Sequence, residues 1–180
     1  FRALPEALAV PWCKFVFPKA PLTAVESPRG DGAVLQLRSW FEHSPEDLRA
    51  ADGPSPLGAT GRRGLEASAR AIVRLAEAEM CNGVPSKRIL LAGFAQGGVV
   101  AMHAALAARE RLGGLVVLSS WLPRGLRVSP SKAAYRLRAL VCHGRGDPLV
   151  PVRLARAAFQ SLLSLGVQAE FREYTLMAHD

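Results

Sequence analysis

Apolar residues along this chain keep two rhythms. Short apolar runs at Cys13–Phe17, Ala33–Leu37, Arg88–Ala92, Leu115–Leu118, Ala139–Cys142 and Ala169–Tyr174 predict strands, since brief runs bounded by turn residues suit buried or half-buried strands. The last four are each followed by Gly or a turn cluster, as strand-to-helix connections require. Between the runs the spacing becomes helical. Glu66–Met80 aligns Ala69, Ile72, Val73, Ala76 and Met80 on one face, and Arg153–Leu165 aligns Leu154, Ala158, Leu162 and Leu165 before Gly166, a helix stop. A third helix starts near Gly97 and runs through Val99, Val100, Met102 and Ala105 to about Arg109. Ala50–Arg63, rich in Gly and Pro, reads as a loop. Strands alternating with helices predict an α/β protein: a mostly parallel central sheet flanked by helices, in a single domain.

Composition narrows this little. At 180 residues, 49% hydrophobic and 21% charged, the chain is ordinary for one globular domain, long enough to bury roughly 70% of its unfolded surface. No apolar stretch reaches membrane-spanning length. Cys13, Cys81 and Cys142 are isolated, which suggests neither a zinc site nor a disulfide framework. The net charge of +8 comes from 19 Arg and 4 Lys scattered over the whole chain. Without a basic run or interleaved aromatics it implies no nucleic-acid partner and at most peripheral contact with an anionic membrane. Phe1–Val10 lacks a signal-peptide pattern. Together with the unpaired cysteines, that points to the cytoplasm.

Chemistry enters at Ile89–Val100, ILLAGFAQGGVV: an apolar strand, a tight turn and a helix. This is the setting of a nucleophile elbow, G-x-S-x-G, whose glycines admit close neighbours and whose central side chain stands at a helix N-terminus. Here the five residues are Gly93, Phe94, Ala95, Gln96 and Gly97, so the central position holds no oxygen. Two further residues fall in triad order. Asp147 lies in the Gly-rich loop after the predicted strand Ala139–Cys142, and His179 follows the last predicted strand. In an open α/β sheet such strand ends converge on the ligand crevice, where an Asp orients a His acting as base. Each piece alone has a plain structural explanation; Asp147 could simply cap the following helix.

With these residues in view, the sequence resembles the acyl-protein thioesterases and the related small carboxylesterases and lysophospholipases of the α/β-hydrolase fold. The resemblance runs from about Lys14 to His179. It rests on FVFPKAP at Phe15–Pro21, RSWFE at Arg38–Glu42, EMCNGVPSKRILLAGFAQGG at Glu79–Gly98, LSSWLPRG at Leu118–Gly125 and CHGRGDPLVPVR at Cys142–Arg153. It implies that position 95 is the nucleophile's place, Asp147 the acid and His179 the base. The Gln96 backbone N–H would be an oxyanion donor. Leu118–Pro123, around Trp121 and Leu122, would line the acyl channel, with Trp40 either supporting it or belonging to the core. His43, His103 and His143 fall outside the triad and read as structural. No metal or cofactor is implied.

The chain departs from the family pattern at four places. Ala95 stands where the family has Ser, and Lys19 replaces a His in the Pro-His-Ala-Pro turn. The family's first strand with its oxyanion loop, and its terminal helix, have no counterpart within residues 1–180, so an incomplete hydrolase domain is expected. The resemblance thus implies a serine hydrolase acting on fatty acyl thioesters or esters: an acylated protein, a lysophospholipid or a small acyl ester. With Ala95 it would be inactive or nearly so. The alternative is a pseudoenzyme that binds acyl chains or a partner without catalysis.

Overall fold

The computed structural model describes residues 4–26, 34–43, 48, 56–125 and 130–179. In chain order the first elements are a short helix α1 (Leu4–Leu8), strands β1 (Leu22–Glu26) and β2 (Val34–Arg38), and the long helix α2 (Ala59–Cys81). Strand β3 (Leu90–Phe94), helix α3 (Gln96–Ala107), β4 (Gly114–Leu118), β5 (Arg138–Gly144), α4 (Val152–Ser164) and β6 (Gln168–Tyr174) follow. Strands β3, β4, β5 and β6 pair in that order, all parallel, while β1 and β2 form a separate antiparallel hairpin.

Register decides which residues the helices cover. Leu91, Leu115, Ala139 and Ala169 sit side by side, as do Gly93, Val117, Val141 and Phe171 two residues on. Onto Leu115, Val117, Ala139 and Val141 pack Met102 and Leu106 of α3 and Ala158 and Leu162 of α4, forming the main core. Each large apolar side chain buried this way contributes about 1.5–3 kcal/mol. A second cluster joins Phe41, Leu65, Val99, Val100, Trp121 and Leu154. The alternation along β5 continues to His143, which is buried on this face opposite Glu173 of β6. Among the described residues β3 pairs only with β4, and Leu90 on it is 57% exposed.

The parallel sheet and its helices follow the pattern read from the sequence, with four differences. Cys13–Phe17 has no regular secondary structure and joins no ladder among the described residues; the Phe15 and Phe17 rings instead stack on each other at 6.1 Å. Of the strand expected at Ala33–Leu37, Ala33 lies outside the described residues, and Val34–Arg38 belongs to the hairpin, paired with Leu22–Glu26, whose LTAVE sequence gave little strand signal. The strand expected at Arg88–Ala92 lies two residues further on. Helix α2 starts at Ala59, inside the expected loop. Its early glycines serve contact rather than a turn: a Cβ at Gly61 would strike the Glu42 carbonyl, and one at Gly64 would come within 3.3 Å of Phe41.

Candidate functional site

One residue separates β3 from α3. To reverse the chain in that space, Ala95 adopts φ 49° and ψ −122°, a region L-residues avoid at about 1–3 kcal/mol. Hydrogen bonds hold it there. The Ala95 N–H donates to the Leu118 carbonyl at 2.9 Å, and the Ala95 carbonyl accepts from Ser120 Oγ at 2.7 Å and from the Gly98 N–H at 3.0 Å. The crowding falls on other glycines than the motif suggests. A Cβ at Gly93 would strike the Gly97 carbonyl and one at Gly98 would meet Ser120, whereas at Gly97 the nearest atom is Trp40 Nε1 at 3.8 Å. Gly98, not Gly97, is the second glycine the turn needs on steric grounds.

Gln96 opens α3, so its backbone N–H lies in the first turn, where no helical carbonyl can accept it. Its side chain ties down the segment 39–43. Oε1 accepts from the Trp40 N–H at 2.8 Å, while Nε2 donates to the Phe41 carbonyl at 2.7 Å and reaches His43 Nδ1 at 3.1 Å. His43 is in turn packed between the rings of Phe41 and Trp121, at 5.5 and 5.2 Å. Trp121 is buried in the second core cluster, Leu122 is half-buried against the main core, and Trp40 is half-buried beside Trp121's cluster.

Asp147 and His179 come together, although 32 residues separate them. His179 Nδ1 lies 2.7 Å from Asp147 Oδ2, with Asp147 buried. A carboxylate only accepts, so Nδ1 carries the proton and Nε2 is left as the basic nitrogen. The other carboxylate oxygen, Oδ1, accepts from the Leu149 and Val150 N–H groups at 2.9 and 2.8 Å. Asp147 therefore does close the turn before α4, and it holds His179 as well. The two loops meet through backbone: Arg145 N–H donates to the Tyr174 carbonyl and Gly146 N–H to the Met177 carbonyl, at 2.8 and 3.2 Å. The His179 ring packs on Phe94, the residue before Ala95, at 4.7 Å between centroids. The elbow, the acid loop and the histidine loop thus gather where the parallel strands end, the place at which such sheets hold ligands.

Residues 2–180 fit the phospholipase/carboxylesterase family. The chain belongs to that family. Among curated members, it is 28% identical over 172 residues to acyl-protein thioesterase 1 of Gibberella zeae, covering 92% of this chain and 69% of that protein. It is also 28% identical over 155 residues to acyl-protein thioesterase 1 of Cryptococcus neoformans, where the match spans 85% of this chain and 61% of the relative. Arabidopsis thaliana SOBER1 superimposes with a TM-score of 0.77 at 26% identity, over 92% of this chain and 75% of that one. Maize acyl-protein thioesterase 2 shares the fold, with a TM-score of 0.71 at 21% identity over 99% of this chain and 80% of that one.

Within this family member, two parts of the site escaped the sequence reading. Ser120 was legible only as part of LSSWLPRG, yet it braces the elbow through the Ala95 carbonyl. His143, read as structural, lies with Nε2 at 3.4 Å from Asp147 Oδ2 and 2.8 Å from the Val150 carbonyl; its position four residues before Asp147 was the available signal. Among the described residues no three His, Cys, Asp or Glu side chains gather as a metal site, and no helix is long and apolar enough to cross a membrane.

Proposed function

We propose that this chain is the scaffold of a hydrolase for fatty acyl thioesters or esters, with position 95 the nucleophile's place, Asp147 the acid and His179 the base. The observation that carries this reading is the His179–Asp147 hydrogen bond of 2.7 Å, with the His179 ring resting on Phe94 beside the strained elbow. The names of the curated relatives make an S-acylated protein the favoured substrate class, ahead of a lysophospholipid or small acyl ester.

With a serine at position 95, its hydroxyl would attack the acyl carbonyl while His179 Nε2 takes the proton. The Gln96 N–H at the start of α3 would hold the developing oxyanion. Collapse would break the C–S or C–O bond, with the leaving thiolate or alkoxide taking the proton from His179. Water, activated by the same nitrogen, would then release the acid from the acyl-enzyme. With Ala95 no acyl-enzyme forms, and turnover is expected to fall by about a million-fold.

Ala95 itself favours a second reading, a protein that binds acyl chains or a partner without hydrolysing them. Hydrolysis of a medium-chain acyl ester by the chain and by its Ala95→Ser variant separates the two. Turnover that appears with Ala95→Ser and vanishes on adding His179→Ala supports the hydrolase scaffold. A folded Ala95→Ser protein without turnover, together with saturable binding of an unhydrolysed palmitoyl thioester, would favour the binding protein.

A further inference from the structure

Two histidines approach Asp147, and only His179 is hydrogen-bonded to it. His143, 1% exposed on β5, places Nε2 at 2.8 Å from the Val150 carbonyl and at 3.4 Å from Asp147 Oδ2, the oxygen that receives His179. A carbonyl only accepts, so His143 Nε2 carries a proton. Its Nδ1 is buried and has no hydrogen-bond partner among the described residues, so nothing there competes for the proton. Val150 closes the circuit. Its N–H is taken by Asp147 Oδ1 at 2.8 Å and its carbonyl by His143, so two side chains consume both of its backbone groups.

From this circuit we infer that His143 is a positioning residue: by holding the Val150 carbonyl it fixes the 147–150 turn, and through that turn it aims Asp147 Oδ2 at His179. A serine-hydrolase triad needs its acid to impose one tautomer on the base. Here the acid's orientation depends on a turn whose outer carbonyl is anchored from the adjacent strand. Without His143, that buried carbonyl loses its donor, which disfavours the present turn. The turn then relaxes, and since Asp147 Oδ1 is held by the Leu149 and Val150 N–H groups of that same turn, Oδ2 moves off Nδ1 with it. The inference rests on the proposed acid–base roles for its functional meaning, but its geometry is open to direct measurement.

The test reads imidazole nitrogen and proton resonances in the chain as it stands, in His143→Leu and in His143→Gln. The Gln side chain can still donate to the Val150 carbonyl. In the unaltered chain His143 is expected to carry a proton on Nε2; finding it protonated on Nδ1 alone would overturn the inference without any variant. The Nδ1–H signal of His179, shared with Asp147, is expected to be lost in His143→Leu and restored in His143→Gln. A folded His143→Leu protein that keeps this signal unchanged would also overturn it, because a residue that merely fills space leaves the Asp147–His179 bond alone. Should His143→Leu not fold, the tautomer of His143 and the signal in His143→Gln still decide. In an Ala95→Ser background, His143→Leu is expected to lower kcat on the order of a hundredfold, the cost of a misplaced catalytic group, with KM unchanged. If Ala95→Ser shows no turnover at all, the hydrolase reading fails, and the nitrogen resonances judge His143 separately.

Discussion

Gln96 carries Trp40: the Gln96 Oε1 accepts the Trp40 backbone N–H at 2.8 Å, across 56 residues of sequence. The same amide donates to the Phe41 carbonyl at 2.7 Å. One side chain at the start of α3 therefore satisfies two backbone groups of a segment with no regular structure of its own. Truncating it strands the Trp40 N–H and leaves the Phe41 carbonyl with Ser39 Oγ, at 2.8 Å, as its side-chain donor. Gln96→Ala is expected to destabilise the protein by roughly 1–3 kcal/mol, the cost of leaving a buried polar group unpaired. A lower urea midpoint with unchanged slope would register this. A midpoint equal to that of the parent would show that water replaces the amide freely.

Strain at the elbow gives an opposite expectation. Ala95 occupies φ 49° and ψ −122°, where glycine bears no steric penalty. Ala95→Gly is expected to raise stability by about 1 kcal/mol, the relief of strain outweighing the greater freedom of the unfolded chain. For a chain of this size that is a Tm increase of about 2–4 °C. A fall in Tm would mean that the turn holds Ala95 without strain.

Acid sensitivity is expected from outside the site. His103 of α3 has its pKa lowered from 6.5, first by burial, with Glu66 opposing and Arg70 reinforcing the shift. Its Nδ1 is buried with no partner among the described residues. The folded state therefore holds the imidazole neutral, and between the lowered folded pKa and about 6.5 the unfolded chain binds the extra proton. This contribution is fully present above 6.5. It shrinks as pH falls towards the folded value and is gone below it. Unfolding curves between neutral and mildly acid pH should show that decline, and His103→Leu should flatten it. Equal decline in both proteins would place the sensitivity elsewhere.

Close backbone approach makes Gly144 the most restrictive position near Asp147. An added Cβ would strike the carbonyls of Met177 and Ala178. Gly144→Ala is expected to push the two loops apart, lowering stability by about 1–3 kcal/mol, as overpacking does, and removing the shared Asp147–His179 proton signal. Gly146→Ala is the control. Its Cβ would sit 3.4 Å from the Met177 carbonyl, close to ordinary contact, and the signal should survive.

The parallel sheet was legible because its strands announce themselves by composition: ILLAG, GLVVL and ALVCH are apolar whatever surrounds them. The elbow was legible because a one-residue reversal demands small neighbours. The start of α2 was not, since Gly61 and Gly64 signal a loop to any propensity argument, whereas here they stand within the helix where Glu42 and Phe41 pass too close for a Cβ. The hairpin was half missed for the converse reason, as Leu22–Glu26 is a strand through its pairing with Val34–Arg38 rather than through its own residues. At the candidate site, spacing singled out Asp147 and His179. Ser120, Gln96 and His143 work through backbone carbonyls and amides, which have no letter in a sequence.

The seam between the loops that carry Asp147 and His179 is stitched by main-chain atoms, through the Tyr174 and Met177 carbonyls and the close pass at Gly144. Replacements at the exposed Arg145, Thr175 or Leu176 leave those stitches in place. The spacing of the pair is thus inherited along with foldability, and sequence drift on the surface does not erode it. On the proposed roles, a lineage carrying alanine at position 95 would keep its acid and base in working register without using them, one substitution away from a complete set.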